Sequence, residues 1–303
     1  MTEEMRGRVI QSQSGFYHVE TKAGVLVCQL RGRLKQGRKL GDIAAIGDWV
    51  LVSQQQPEKG MIEEVEPRQS MLYRMAPTPR GEYQQVIIAN PDQAVFVFSI
   101  LEPEPRLRML DRFLVIAEKE RIQALIVVNK IDLSGRRKAH NLFQRYQKIG
   151  YPVIYTSVPK KKGLRRLKSE LRDKTSVLAG PSGAGKSSLL NAIQPGLGLE
   201  VKEVSETTRK GKHTTVVREL YPLGGGYVAD MPGLRSLTLW DIEPEELDGY
   251  FPDLRNLVSE CRFSNCSHME EPGCAVKLAV EKGKVHPERY DSYLRMRMGD
   301  ESD

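Results

Sequence analysis

A glycine-rich stretch at residues 180–187 has the residue types and the spacing of a phosphate-binding loop. It matches G-x-x-x-x-G-K-S and lies between a short apolar run and a stretch of helical character. Such a turn directs backbone N–H groups at a phosphate, and the following helix adds its positive dipole end. Lys186 is predicted to reach the β and γ phosphates, and the Ser187 hydroxyl to bind Mg²⁺. The predicted nucleotide-contacting residues are Gly180, Pro181, Ser182, Gly183, Ala184, Gly185, Lys186, Ser187 and Ser188.

A second motif, N-K-I-D at residues 129–132, follows the apolar run 124–128. The Asp132 carboxylate can accept hydrogen bonds from both N1–H and the N2 amino group of guanine, whereas adenine offers no such pair of donors. Asn129 can bond the N7 edge and the neighbouring loop, and the Lys130 stem can lie along the base plane. A backbone N–H at the end of the next apolar run can contact guanine O6, although plain turn residues are the alternative there. The predicted guanine-contacting residues are Asn129, Lys130, Asp132, Thr156 and Ser157.

Two segments after the phosphate loop contain candidates for Mg²⁺ and the γ phosphate. Thr214 and Thr215 lie in one of them, and either hydroxyl can coordinate Mg²⁺; the sequence does not choose between them. The other is an apolar run that ends in Asp-x-x-Gly, in which Asp230 is predicted to hold Mg²⁺ through water and the Gly233 N–H to contact the γ phosphate. Together these motifs predict hydrolysis of GTP to GDP and phosphate, with Lys186, Thr214, Thr215 and Gly233 at the reacting phosphate. An ATP-dependent kinase is the weakest alternative, because Asp132 should reject adenine.

The residue after Gly233 is Leu234, where Ras-type enzymes have the Gln that orients the attacking water. A leucine side chain cannot orient water. We therefore predict slow intrinsic hydrolysis, with the missing group supplied by a partner or by another residue. His213 is the candidate within the chain; a structural or RNA-facing histidine is the alternative interpretation.

The order of the motifs differs from that in an ordinary GTPase, where the phosphate loop comes first and N-K-x-D last; here residues 129–132 precede residues 180–187. The pocket requires these groups to be close in space rather than in sequence. A circular permutation therefore preserves the chemistry if the former termini lie close together. The permutation also joins residues 230–233 directly to the C-terminal region. We expect contacts to the γ phosphate to alter that region, which hydrogen exchange can detect by comparing GDP with a GTP analogue.

Four potential zinc ligands lie near the C-terminal end: Cys261, Cys266, His268 and Cys274. Three thiolates and one imidazole are the ligand set of a closed structural Zn²⁺ site. No coordination position remains for catalysis, so the metal is predicted to fold the C-terminal region. Scattered free thiols are the alternative, and the low cysteine content favours a reducing compartment.

The elements that must position these groups are predicted from apolar periodicity. Five short alternating runs in residues 1–66 fit a closed β-barrel of the OB type. Residues 67–237 form a circularly permuted α/β GTPase domain in which alternating strands and helices indicate a mostly parallel sheet. This domain begins with a Pro- and Arg-bearing connector over residues 67–90. Residues 238–303 are predicted to form a helical zinc-binding domain.

Composition describes an ordinary globular chain of 303 residues, with 40% hydrophobic and 28% charged residues. Its longest aliphatic runs are too short to span a bilayer, and its N-terminus has no apolar signal region, so neither membrane insertion nor export is expected. The net charge of +7 favours an anionic partner without separating RNA, DNA and membrane surfaces.

Three groups of basic residues are candidates for contact with an anionic partner; for the group at residues 160–166, a solvated helix start is the alternative. The loop after the third barrel strand is a candidate for phosphate contacts, with a solvated charged loop as the alternative; it contains Arg31, Arg33, Lys35, Arg38 and Lys39. The third group is interleaved with acidic residues and is interpreted as solvated surface; it comprises Lys277, Lys282, Lys284, Arg289, Arg295 and Arg297.

The barrel, the permuted motifs and the Cys/His spacing together resemble the RsgA (YjeQ) family of small-ribosomal-subunit-dependent GTPases. The resemblance covers essentially the whole chain; one departure is Met231, where the family more often has Thr. It implies a bacterial cytoplasmic GTPase, monomeric, that binds the small subunit through its rRNA and acts late in subunit maturation. It also implies faster hydrolysis on the subunit. The alternatives are a permuted GTPase acting on the large subunit and a nucleotide-switched RNA-binding module with negligible hydrolysis.

Overall fold

The computed structural model describes residues 4–36, 41–78, 81–199, 218–230 and 242–300. Within these ranges, none of the helices has both the length and the hydropathy that crossing a membrane requires. The chain forms a β-barrel, a hairpin, an α/β sheet and a C-terminal helical region, in that order.

The barrel is formed by the first five strands, which are β1 (Glu4–Gln13), β2 (Phe16–Thr21), β3 (Gly24–Leu30), β4 (Trp49–Gln56) and β5 (Lys59–Val65). Their order is β1-β2-β3-β5-β4, and β4 pairs back onto β1, so the sheet is closed. Alternate residues such as Val9, Val19 and Ile62 point inward and are fully buried. The predicted OB-type barrel is confirmed.

A β-hairpin occupies most of the predicted connector at residues 67–90. Its strands are β6 (Met71–Thr78) and β7 (Gly81–Ala89). The Pro and Arg content of this segment suggested a linker, but its apolar residues Leu72, Val86 and Ile88 are buried at the base of the hairpin. The Asp42 carboxylate, from the barrel's β3–β4 connection, accepts from the Val86 N–H at 2.9 Å. The hairpin therefore packs against the barrel.

The strands of the GTPase sheet are β8 (Gln93–Ser99), β9 (Gln123–Asn129), β10 (Val153–Tyr155), β11 (Thr175–Ala179), β13 (Tyr221–Leu223) and β14 (Gly226–Asp230). Their order in the sheet is β10-β9-β8-β11-β14-β13, and the sheet is parallel except for β13. Its helices are α1 (Leu107–Lys119), α2 (Arg136–Lys148), α3 (Leu164–Leu171) and α4 (Lys186–Ile193). Phe96 and Phe98 of the central strand pack with α1 and α2, whereas Val95 and Val97 pack with α3 and α4. Helices thus cover both faces, as alternating strands and helices predict.

The C-terminal region contains α5 (Ala275–Glu281), α6 (Pro287–Arg297) and two short 3₁₀ turns, Leu247–Tyr250 and Val258–Glu260. Its core packs Phe251 and Tyr293 edge to face at 5.6 Å, and it includes Val115 of α1. The C-terminal core is therefore continuous with one face of the GTPase helices.

Candidate functional site

The predicted nucleotide-binding motifs meet at the carboxyl edge of the parallel sheet. Asn129 ends β9, Gly180 follows β11, and Asp230 ends β14. Register places Asn129 opposite Ser99 of β8 and Asp230 opposite Leu178 of β11. Ligands of such sheets bind outside the carboxyl ends of the strands. The fold therefore brings together motifs that the chain presents in permuted order.

Asn129 connects the guanine motif to the phosphate loop. Its side chain is 2% exposed; Nδ2 donates to the Ala184 carbonyl at 3.0 Å, and Oδ1 accepts from the Thr156 hydroxyl at 3.0 Å. Gly185 has a φ of +88°, and a Cβ added there would lie 2.5 Å from Asn129 Nδ2. Glycine is thus required at this position by both backbone conformation and space.

The phosphate loop closes tightly over the end of β8. Gly180 has a φ of +145°, and a Cβ there would lie 2.0 Å from the Val97 carbonyl oxygen. The Lys186 ammonium donates to the carbonyls of Gly180 at 2.9 Å and Pro181 at 3.1 Å. These acceptors are neutral, so the anionic oxygens of a phosphate can replace them with a gain in charge-assisted hydrogen bonding. Ser182 is exposed, and Ser187 and Ser188 at the start of α4 are half-buried.

The guanine loop is held by its backbone and leaves Asp132 exposed. The Ile131 N–H donates to the Thr156 carbonyl at 3.2 Å, and the Gly135 N–H donates to the Ile131 carbonyl at 2.8 Å. Lys130 adopts a φ of +59°, and its ammonium donates to the Glu102 carbonyl. A loop fixed in this way presents a carboxylate at a defined place beside the sheet edge.

Thr156 and Ser157 are both fully buried, and both of their N–H groups are used within the protein. The Thr156 N–H donates to the Val128 carbonyl at 2.8 Å, and the Ser157 N–H donates to the Lys162 carbonyl at 3.1 Å. In this arrangement neither N–H is available to guanine O6, contrary to the expectation for this pair. Their role here is to shape the turn, because the Ser157 hydroxyl also accepts from the Lys160 N–H at 3.2 Å.

Several predicted residues lie outside the part of the chain that the structure describes. These are His213, Thr214, Thr215 and Gly233, together with Leu234. For Asp230 the structure gives the strand position alone. Their roles at Mg²⁺ and the γ phosphate stay predictions.

The four predicted zinc ligands come together in one cluster. Their ligand atoms, from Cys261, Cys266, His268 and Cys274, all lie within 4.8 Å of one another. His268 Nδ1 is 3.5 Å from Cys261 Sγ and 3.4 Å from Cys274 Sγ, and its Nε2 lies 3.0 Å from an Asp248 carboxylate oxygen. A metal-bound Nδ1 carries no proton, so Nε2–H donates to Asp248 and fixes the ring. The donor set fits a tetrahedral Zn²⁺ site.

Backbone N–H groups support this cluster. Cys274 caps α5, since its sulfur accepts from the Lys277 N–H at 3.5 Å, and the Ala275 N–H donates to Cys261 Sγ at 3.4 Å. Such bonds favour thiolates. Hydrogen bonds from Ser267, through its hydroxyl and its N–H, and from the Met269 N–H hold the pKa of Glu271 at about 2. This carboxylate therefore stays ionised while it orders the backbone on both sides of the third ligand, His268.

Comparison with known proteins places this chain in a family. The family model described as RsgA GTPase matches residues 65–240, and the model described as RsgA N-terminal domain matches residues 6–62. The chain belongs to the RsgA GTPase family. Members of this family are GTP hydrolases, so the predicted enzyme class is confirmed.

Individual RsgA relatives match over nearly their whole length. "Small ribosomal subunit biogenesis GTPase RsgA" from Gemmatimonas aurantiaca is 44% identical over 98% of both chains, and the protein of that name from Bacillus subtilis is 42% identical over 95% of both. The crystal structure of YjeQ from Thermotoga maritima superposes with a TM-score of 0.80, at 35% identity, over 99% of this chain and all of that one. YloQ, described as a circularly permuted GTPase, gives 0.75 at 36% identity, over 98% of this chain and 95% of that one.

A buried charge network holds the C-terminal region of this RsgA chain on the GTPase helices. Arg289, which was predicted to be solvated, has a side chain only 2% exposed. Its guanidinium donates to Asp111 of α1 at 2.7 Å and, through two nitrogens, to Asp253 at 2.7 and 3.1 Å. Tyr146 of α2 donates to Asp111 at 2.9 Å. The charge pattern of the sequence could not predict this buried network, because Asp111, the partner of Arg289 on α1, lies far away in sequence.

The barrel's basic loop also contains paired residues. Arg31 donates to the Glu63 carboxylate at 2.7 Å, and Arg33 donates to the Glu63 carbonyl at 3.1 Å. Their side chains nevertheless remain 50% and 64% exposed, so both guanidinium groups keep faces open to solvent. The described part of the loop, residues 31–36, is partly ordered by Glu63 and presents positive charge, whereas Arg38 and Lys39 lie outside the described residues.

Proposed function

We propose that the protein is a GTPase that binds the small ribosomal subunit, assists its late maturation and hydrolyses GTP faster when bound. The observation that carries this proposal is the Asn129–Ala184 hydrogen bond, which joins the guanine motif to the phosphate loop at the carboxyl edge of the sheet. Relatives that share more than two fifths of their residues with this chain are named for small-subunit biogenesis. Nothing in that set of names supports the large-subunit alternative.

Each residue of these motifs has a proposed role. Asp132 accepts from guanine, Lys130 lies along the base, and Lys186 with the N–H groups of residues 180–188 surrounds the phosphates. The N–H groups of Thr156 and Ser157 are used within the protein, so the next one along the chain, the Val158 N–H, donates to guanine O6. Ser187, Asp230 and one of the two threonines, Thr214 or Thr215, hold Mg²⁺, which when bound neutralises charge on the β and γ phosphates.

The group that orients the attacking water comes from His213 or from the subunit, because Leu234 cannot supply it. Hydrolysis by the free protein is therefore slow. The Gly233 N–H contacts the γ phosphate, and the Cys/His cluster holds one structural zinc. The protein acts as a monomer in the bacterial cytoplasm, and its contacts with the subunit are made to rRNA; the open faces of Arg31 and Arg33 support such contacts.

A GTPase assay with Mg²⁺, run with and without purified small or large subunits, tests the proposal. We expect turnover to rise by on the order of tenfold or more with small subunits, because a missing catalytic group supplied by a partner is worth at least this much. Large subunits should have little effect. Stimulation by large subunits alone would overturn the proposal. Tight GTP binding without hydrolysis under any condition would instead favour the nucleotide-switched module.

Asp132→Asn is expected to weaken GDP binding and to create binding of xanthosine diphosphate. The asparagine amide would face the guanine amino group donor to donor, whereas xanthine offers a carbonyl there. Losing a hydrogen bond to a charged group costs about 1.5–3 kcal/mol, or roughly 10- to 200-fold in affinity. Calorimetric titration with GDP, xanthosine diphosphate and ADP measures the change. The new binding of xanthosine diphosphate shows that the variant is folded, and unchanged GDP affinity would remove Asp132 from the guanine site.

A further inference from the structure

A short strand from the GTPase part of the chain is hydrogen-bonded to the barrel. This strand, β12 (Arg218–Glu219), pairs antiparallel with β1 and places Glu219 opposite Gln11. The Leu220 N–H then donates to the Ile10 carbonyl at 2.8 Å. Strand β4 pairs with β1 only as far as Arg8, so β12 continues the same edge where β4 has left it. The barrel's sheet therefore includes a piece of the GTPase domain.

The position of β12 in the chain makes this pairing informative. Arg218 follows Thr215 by three positions, and the chain after β12 continues through buried Leu220 into β13 and β14. Strand β14 ends at Asp230. The segment 218–230 thus connects two of the residues proposed to meet Mg²⁺ and the γ phosphate, and it is held to the barrel at its first residues.

A second contact joins the barrel to β14 itself. The Tyr227 hydroxyl, three positions before Asp230, donates to the Glu20 carboxylate of β2. The Arg8 guanidinium of β1 lies 5.5 Å from the Tyr227 ring and 5.3 Å from the ring of Trp49 on β4. Arg8 also donates to the Asn90 carbonyl at 3.3 Å, at the end of the hairpin. Arg8 and Tyr227 therefore form a packed contact between β14 and the barrel wall.

The C-terminal region is attached in a different way. It contacts α1 and α2, through the buried Arg289 network and through ion pairs such as Arg145–Glu288 at 2.5 Å. These helices surround the guanine side of the sheet rather than the strand that carries Asp230. Among the described residues, these contacts join β12 and β14 to the barrel, and the C-terminal region to α1 and α2.

We infer that the barrel senses the nucleotide state, and that β12 and the Arg8–Tyr227 contact transmit it. The inference rests on the proposed GTPase function and adds a route for its regulation. Because coupling between two sites is reciprocal, a partner seated on the barrel changes GTP affinity by the same factor by which GTP changes the affinity for that partner. We expect this change in affinity to be about fivefold or more, because fivefold is the lower end of the range for coupled sites.

Hydrogen exchange on the full-length, zinc-loaded protein tests the route, with Mg²⁺-GDP and with a non-hydrolysable Mg²⁺-GTP analogue. We expect peptides covering β1 and β12–β14 to exchange at rates that differ at least threefold between the two nucleotides, while α5 and α6 stay the same. Identical exchange in β1 would overturn the inference. A change confined to α5 and α6 would also overturn it, and would support the coupling to the C-terminal region that the permutation suggests.

Variants test the coupling between the nucleotide and the barrel separately from GTPase activity. In the double variant Arg8→Ala/Tyr227→Phe, the difference in β1 exchange rate between the two nucleotides should fall by at least half. Its stimulation of GTP hydrolysis by saturating small subunits should be at least fivefold smaller than that of the parent. Tyr227→Phe alone should show a smaller loss. Tyr151→Phe is the matched control, since its hydroxyl donates to Glu118 at 3.0 Å at the far end of the sheet. Full stimulation in the double variant would contradict the inference.

Two measurements distinguish failure of the inferred route from failure of the proposed GTPase function. GDP affinity of the double variant, without subunits, should stay within twofold of the parent. If the parent binds GTP and is stimulated but the double variant behaves identically, the route is wrong and the GTPase function stands. If the parent itself shows no hydrolysis or stimulation, the proposed function has failed.

Discussion

Cys274→Ser is expected to abolish stoichiometric zinc and to unfold the described C-terminal region, residues 242–300. A serine hydroxyl is a poor zinc ligand, and a structural zinc site contributes on the order of 10 kcal/mol to folding. The substitution is specific in one further respect. Cys274 is the N-cap of α5, and Ser is among the best N-cap residues, so the bond from the Lys277 N–H can be kept. Unfolding of the C-terminal region would then result from loss of the metal rather than from loss of the N-cap.

Elemental analysis and hydrogen exchange measure this effect. The parent should hold one zinc per chain and protect the amides of α5 and α6, whereas the variant should hold none and exchange them rapidly. Cys28→Ala is the matched control: Cys28 is buried in the barrel, away from the cluster, and its loss should leave the zinc content unchanged. A zinc-free variant with normally protected helices would show that the metal does not fold this region.

The parts of the fold that sequence could predict depend on local patterns. Alternating apolar residues such as Val9 and Val19 specify strands whose inner faces close a barrel. Asn129 and Gly180 each follow an apolar run, which places both motifs at strand ends before any tertiary contact is known. The four zinc ligands are close in sequence as well. In each case the chemistry depends on neighbours along the chain.

The features that sequence could not predict depend on distant partners. Arg289 looks like any charged helix residue until Asp111 and Asp253 are brought against it. The strand β12 is too short to show periodicity, and it exists because the edge of β1 is free to pair there. The use of the Ser157 N–H by the Lys162 carbonyl depends on a turn whose geometry has no residue signature.

The barrel and the C-terminal region differ in the chemistry that attaches them. Backbone pairing, the half-buried Arg8 contacts and a shared apolar core that includes Val9 and Leu220 join the barrel to β12 and β14. A fully buried guanidinium with two carboxylates joins α6 to α1. Groups accessible to water can exchange partners at low cost, whereas breaking a buried charge pair leaves an uncompensated charge. The Arg8 contacts are therefore suited to change during a GTPase cycle, whereas the buried Arg289 network is suited to persist.

Arg289→Ala is accordingly expected to lower the free energy of unfolding of the C-terminal region by about 3–5 kcal/mol. It leaves the carboxylates of Asp111 and Asp253 buried, with side chains 2% and 4% exposed, and without their cation. Protection of α6 amides measures the loss, and thermal unfolding gives a second estimate. Arg255→Ala is the control, because its pair with Glu118 is solvent-exposed and worth less than about 1 kcal/mol.

A mutant cycle with Asp111→Ala separates charge from packing. In that background Arg289→Ala should cost less, since one of the two carboxylates that need the guanidinium is already gone. If the cost were the same in both backgrounds, the effect would come from lost packing against Phe251, whose ring centroid lies 4.8 Å from the guanidinium carbon. Equal effects of Arg289→Ala and Arg255→Ala would show that burial of the network does not strengthen the attachment.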